Sequence, residues 1–289
     1  MRRTHVTKEH ESGGVWNGVE VGGGAPGVGW GKRKSDSRGT RHSTEAAVCV
    51  DGPLCRVGRS RPGAAARIKS GNFVGADVDF IAKAGAVEAI PDLKEQFLRK
   101  QDAIDKAKIA QVLVKLGDRD ESYWNFLVDL ATPALESDAP DFMSYDSQGK
   151  SQPGPSPEFA AWATAHNLSP NGSTAEDSVY IFPGKVALLG LTGDPRAIPL
   201  LRRGLQSRNH MIVNAAAQGL AELQDKDSVP LIVEACQKAP KEVAASIASS
   251  LVYFDGPEAQ AAVNAYVPKS QANVLRDARA QGKKTPFSY

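Results

Sequence analysis

Asp194-Pro195-Arg196-Ala197-Ile198-Pro199-Leu200-Leu201 is written again, thirty-one positions on, as Asp225-Lys226-Asp227-Ser228-Val229-Pro230-Leu231-Ile232. The offset persists downstream of both copies: Leu205 answers to Cys236, Leu220 to Leu251 and Leu223 to Phe254. A period near thirty with helical apolar spacing inside each copy marks helix pairs that bury their apolar faces only against the next pair.

Working outward, the i, i+3, i+7 stripe of an amphipathic first helix recurs as Ile90/Leu93/Phe97, Tyr123/Phe126/Leu130, Ile198/Leu201/Leu205, Val229/Ile232/Cys236 and, more weakly, Ala259/Ala262/Tyr266. Pro91, Pro199 and Pro230 follow the first apolar position of their copies. They mark helix starts, because the first turn has no intrahelical partner for the N–H that proline lacks. Second helices align as Ile109/Leu113/Leu116, Ala216/Leu220/Leu223 and Ile247/Leu251/Phe254, with Val186–Thr192 filling that role in one copy. The turns between copies, Gly117-Asp118, Gly193-Asp194, Gln224-Asp225 and Asp255-Gly256, suit a helix C-cap followed by an N-cap or turn.

These residues resemble HEAT repeats, in particular the short bacterial kind known as PBS-lyase-type HEAT-like repeats. The Asp-Pro-x-Ala-Ile-Pro-Leu-Leu phrase carries most of the resemblance, which covers about residues 80–135 and 181–267 and is closest over 186–255. It implies an all-α fold, a right-handed α-solenoid of stacked antiparallel helix pairs in about four to five repeats. The resemblance is specific for fold rather than function, and the chain is expected to be a non-catalytic scaffold that binds a protein or peptide. Relatives with such repeats include bilin lyases and base-excision glycosylases, so an enzyme or accessory of the lyase or DNA-glycosylase type is the alternative.

In such stacks the second helices line the concave side. Alignment of the copies puts Gln111, Gln218 and Ser249 at one outward position and Lys115, Glu222 and Tyr253 at another. These are the candidate partner-binding residues, with Tyr253 foremost because exposed aromatics anchor interfaces. Trp162 joins them from an insertion at about 133–180, too long for an ordinary turn and rich in proline and glycine. Within it Pro157–His166 reads as a short helix capped by Ser156, with Phe159 and Trp162 on one side. Two readings of its aromatics stand: they fill a gap between repeats, or they project a binding element from one edge.

Composition is uneven along the 289 residues. Residues 1–71 hold 14 of the 27 glycines and 13 Lys/Arg against 6 Asp/Glu, so a basic leader hides an acidic remainder behind the net +2. The leader has no periodic apolar pattern and is expected to be disordered, since it buries too little to offset its ordering entropy. Its Gly/Arg/Val/Ser bias is closer to translated upstream sequence than to an evolved linker, and the native product is expected to lack it. The repeats are expected to span 72–267, followed by a basic tail at 268–289 with Lys269, Arg276, Arg279, Lys283 and Lys284.

Tests for chemistry return little. Gly22–Gly27 spells G-x-G-x-x-G but lacks the preceding strand and following helix, and Gly31-Lys32 lacks the flanking residues of a phosphate loop. The histidines (His5, His10, His42, His166, His210) have no metal-ligand spacing, and Asp138, Asp141 and Asp146 make no calcium ladder. Cys236 reads as a small core hydrophobe, Cys49 and Cys55 lie in the leader, and Ser246, Ser249 and Ser250 have no activating base nearby. No cofactor and no catalytic set are expected. An acidic repeat region argues against nucleic acid as its partner despite Arg196, Arg202, Arg203 and Arg208. No apolar run reaches about 18 residues, and no secretory signal is visible, which leaves localisation open.

Overall fold

The computed structural model describes residues 61–171 and 183–282. Among them are thirteen α-helices: α1 (Arg61–Ser70), α2 (Gly75–Ala84), α3 (Ile90–Arg99), α4 (Ala103–Lys115), α5 (Glu121–Glu136), α6 (Pro157–Ala165), α7 (Gly184–Leu191), α8 (Ala197–Gly204), α9 (His210–Glu222), α10 (Val229–Lys238), α11 (Lys241–Ser249), α12 (Pro257–Tyr266) and α13 (Lys269–Ala280). Strands β1 (Met143–Tyr145) and β2 (Ser151–Pro155) form an antiparallel hairpin inside the insertion.

The helices pack as pairs, α1 with α2, α3 with α4, α8 with α9, α10 with α11 and α12 with α13, while α5 takes α7 as its partner across the insertion. Second members of the pairs form an unbroken row, α2 on α4, α4 on α7, α7 on α9 and α9 on α11. First members touch less evenly: α1 packs on α3, α5 on α8 and α10 on α12, with looser junctions between.

Residue type explains the difference between the rows. At the α7–α9 seam a Cβ on Gly190 would lie 2.2 Å from the Gly219 Cα, so the two backbones meet with nothing between them. Alanines 215, 216, 217 and 221 keep the rest of α9 thin. The core behind them is aliphatic, with Val186, Leu189, Leu201, Ile212, Leu220, Ile232 and Ile247 all at 0 % exposure. Each such side chain contributes roughly 1.5–3 kcal/mol of burial.

Turn chemistry agrees with the sequence reading. Gly85, Gly117 and Gly193 all take the left-handed conformation that ends a helix (φ 59°, 86° and 74°). Gln224 holds the same place in its copy at φ 56°, a conformation that side chains disfavour. Pro91 and Pro230 sit in the first turn of α3 and α10, and Pro199 is the third residue of α8.

Four expectations are corrected. The leader was expected to run to residue 71, yet α1 folds: Ala64 and Ile68 are fully buried, and Arg67 grips the buried Asp77 through two bonds of 2.6 and 2.9 Å. A single isoleucine among alanines gave too faint a stripe to read. The remaining leader residues, 1–60, lie outside the described residues, as do the Gly22–Gly27 and Gly31-Lys32 motifs, Cys49, Cys55 and three of the histidines. The tail from 268 likewise contains α13, where Ala272 is buried and the Arg279 guanidinium donates to the carbonyls of Val252 (3.0 Å) and Phe254 (3.1 Å). Lys283 and Lys284 lie outside the described residues.

The insertion was expected to start at Pro133, but α5 runs through that proline to Glu136 because Ala134 and Leu135 are buried in the main core. Within α5 the buried register is Tyr123, Trp124, Leu127 and Ala131 rather than Tyr123/Phe126/Leu130; Phe126 and Leu130 are half-buried. Trp124, the largest side chain on the helix, turns the stripe toward itself.

Candidate functional site

The second-helix row was to carry most of the partner-binding residues. Gln111 is 3 % exposed, and its amide Nε2 donates to the Leu191 carbonyl at 2.8 Å, tying α4 to α7. Glu222 is buried beside the exposed Lys115, whose ammonium is 3.6 Å away, a link between α4 and α9. Ser246 donates to Asn214 Oδ1 (3.2 Å) between α11 and α9, and the buried Ser249 accepts from Gln271 of α13 (3.2 Å). Gln218 is half-buried.

Tyr253 is 1 % exposed in a 3₁₀ turn after α11, and among the described residues its hydroxyl makes no hydrogen bond; burial pushes the phenol's pKa up. Gln111, Glu222, Ser249 and Tyr253 are therefore corrected from open surface to seam and core positions. The cause is the thin row itself: when small residues let consecutive helices close up, positions that would face a groove fall into the contacts between neighbours. The run of alanine and glycine in α9 was the sequence signal for this.

The insertion builds a different kind of surface. Ser156 caps α6 by accepting from the Phe159 N–H (3.0 Å) and donates to the Asp141 carbonyl (2.7 Å). Phe159 is buried with Ala139 and Ala163, and Phe142, Trp162 and Leu168 surround them in a small apolar cluster separate from the main core. The rings meet each other: Phe142 on Phe159 at 5.2 Å edge-on, Trp162 on Phe159 at 5.7 Å, and His166 stacked on Trp162 at 4.4 Å. Trp162 is half-buried and its indole N–H donates to Asp138 (2.8 Å). The hairpin was not foreseen, since Pro153 and Pro155 mask a strand of five residues. Its turn is held by Asp146, whose carboxyl accepts the N–H groups of Lys150 and Gln148 and is thereby kept below the usual carboxylate range.

Where the insertion meets the repeats, the contacts are polar. Asp141 Oδ2 lies 2.6 Å from His210 Nδ1 at the start of α9, and Glu158 pairs with Arg208. The Ser151 N–H donates to Glu242 Oε2 (2.7 Å), and the Glu242 N–H donates to the Gly149 carbonyl (3.3 Å). Gly149 permits this approach, because at φ 74° its Cβ position is 2.8 Å from the Lys241 nitrogen. Tyr145 stands edge-on to His210, and burial, with Asp141 beside it, pushes the phenol well above its ordinary range.

Two clefts lie among the repeats. One, of about 260 Å³, opens at the loose junction of α8 and α10, with His210, Ser207 and Lys238 at its rim and Leu205, Val213 and Ala235 below. The other, of about 400 Å³, lies between inter-repeat turns among Asp118, Asp120, Glu121 and Asp194. Arg196 bonds to Asp194 and Glu121 there while lying over the Trp124 ring at 4.5 Å, and its hydrogen bonds hold the Asp194 carboxyl below the usual range. Among the described residues no group of three or more His, Cys, Asp or Glu could hold a metal ion. Cys236 is 1 % exposed, and burial pushes its thiol up to about 12, far from a reactive thiolate.

The family model of HEAT repeats matches residues 186–252, from α7 to the turn after α11. This is a HEAT-repeat segment. It contains both copies of the duplicated phrase and the Gly190–Gly219 seam. No curated protein and no solved structure matches the chain. HEAT repeats generally mediate protein–protein interaction, and no described helix is long and apolar enough to cross a membrane.

Proposed function

We propose that the chain is a non-catalytic scaffold, a right-handed α-solenoid of HEAT-like pairs beginning near residue 61, that binds a protein or peptide. The HEAT-repeat match at 186–252 carries this reading. The continuous second-helix row and looser first-helix row support a curved stack, since closer spacing on one side bends a solenoid toward that side.

The binding surface is assigned to the edge from which the insertion emerges rather than to the second-helix face. Gln111, Glu222 and Ser249 are buried in contacts between repeats, whereas Trp162 is a half-buried aromatic at the surface of the insertion. The test is affinity capture with the full chain under crosslinking, then calorimetry with the purified partner. Trp162→Ala is expected to weaken binding at least tenfold, as an aromatic anchor does, while Val274→Ala on exposed α13 leaves it unchanged. A partner that binds both variants like the parent removes the insertion from the interface, and no saturable partner at all removes the scaffold reading.

A further inference from the structure

Residues 137–171 have two properties that rarely occur together in a loop. They carry an apolar cluster of their own, Phe159 with Ala139 and Ala163, which is not continuous with the core of the repeats. Among the described residues their attachment to the repeats has little apolar component: Tyr145 stands edge-on to His210, but neither the hairpin nor α6 packs broadly on any repeat helix.

Besides that ring contact, what holds them among the described residues is a row of four hydrophilic contacts, at the α8–α9 loop and the first turns of α9 and α11. Glu158 meets Arg208, Asp141 meets His210, the Ser151 N–H meets Glu242, and the Gly149 carbonyl meets the Glu242 N–H. The Arg208 and Glu158 side chains are 63 % and 66 % exposed, so water competes for that pair. Exposed ion pairs of this kind hold weakly, whereas apolar burial is what makes packing of one element on another cooperative.

We propose that residues 137–171 form a strap with its own fold, clasped to the repeat edge by these hydrophilic contacts and able to release as a unit while the repeats stay folded. His210 gives the release a consequence. Its Nδ1 is held by Asp141, and the same residue stands at the rim of the α8–α10 cleft. Opening the strap frees the ring at that rim. The inference does not depend on the scaffold reading, because strap and clasp belong to one chain.

The experiment is hydrogen exchange on the full chain carrying Arg208→Ala, His210→Ala and Glu242→Ala together. All three changes lie on the repeat side, so the sequence of the strap is untouched. Amides of 143–155 are expected to exchange at least about tenfold faster than in the parent, with α7, α9 and α11 unchanged. Equal acceleration in those helices would mean that the insertion is integral to the stack, and unchanged exchange at 143–155 would mean that the clasp does not hold it; either overturns the proposal. Raising salt from 0.1 to 1 M shortens the screening length from about 10 to about 3 Å. It should accelerate the same amides in the parent and have little effect in the triple variant; a parent indifferent to salt counts against a clasp of ion pairs.

Discussion

Gly190→Ala places a methyl group where the Gly219 backbone already is. The added Cβ would sit 2.2 Å from the Gly219 Cα, 2.5 Å from its carbonyl oxygen and 2.6 Å from its carbonyl carbon. Carbon atoms rest at about 3.5–4.0 Å, so α7 and α9 must part by about 1.5 Å. Both sides of the clash are backbone, and no rotamer can absorb it. Overpacking costs roughly 1–3 kcal/mol where side chains can yield, and about 4 kcal/mol is expected where they cannot. Alanine's better helix propensity returns about 1 kcal/mol, for a net loss of about 3 kcal/mol. For a folded unit of this size that lowers Tm by roughly 6–12 °C.

Gly219→Ala is the internal comparison, because its Cβ would meet the Leu201 methyl carbons at 2.9 and 3.1 Å, ends of a flexible side chain. Its loss should stay near 1 kcal/mol, within the low end of overpacking. Gly184→Ala, with nothing within 4 Å, should be neutral or slightly stabilising. Thermal melts followed by circular dichroism, with urea titrations for the free energies, give the order. If Gly190→Ala melts with the parent, or if Gly219→Ala is the more damaging of the pair, the backbone seam is not as described.

Two further outcomes are expected. Gln224→Gly should stabilise by about 0.5 kcal/mol, since relief of a left-handed side-chain conformation outweighs glycine's looser unfolded chain; a lower urea midpoint would contradict the turn equivalence. Acid should weaken the fold through Asp194, lowered by the Arg196 hydrogen bonds, and Asp120, lowered by the Ser122 hydroxyl and N–H. Folded-state values below the unfolded one, about 3.9, mean that this stability is present above that pH and lost as pH falls through the folded values. Tm should therefore be flat in this respect above about pH 5 and drop below about pH 4, less steeply in Asp194→Asn; an identical drop in that variant excludes Asp194 as a contributor.

The sequence made the helices legible wherever a turn signal and an apolar stripe coincided, as at Pro230 with Val229/Ile232/Cys236, all three of which are buried. It made α1 illegible because alanine packs well without raising hydrophobicity, and it shifted α5 because Trp124 outweighs an evenly spaced stripe. One echo was present but unread. Lys94 and Arg202 each stand four residues after the first apolar position of their helices, Ile90 and Ile198, and each reaches the aspartate of the next turn, Asp118 at 3.1 Å and Asp225 at 2.8 Å. In the following copy that position is Val233, and Arg279 of α13 serves Asp255 instead.

Four of the candidate partner-binding residues, Gln111, Glu222, Ser249 and Tyr253, lie buried for a reason of scale. Alignment of copies tells which positions lack an apolar residue, but whether a polar position faces water or a neighbour depends on helix spacing. Spacing is set by the smallest residues in the row, Gly190 and Gly219, rather than by the polar ones. Phe142, Phe159 and Trp162 satisfied each other instead of the repeats, which no pairwise pattern within 133–180 distinguishes from filling a gap.

A seam closed by two glycine backbones has no rotamers to rearrange, so it can neither slide nor breathe by small adjustments. Elastic compliance in this chain must therefore concentrate elsewhere, at the open junction of α8 and α10 on the opposite layer. Flexing there would vary the mouth beside His210 while the glycine contact serves as the fulcrum.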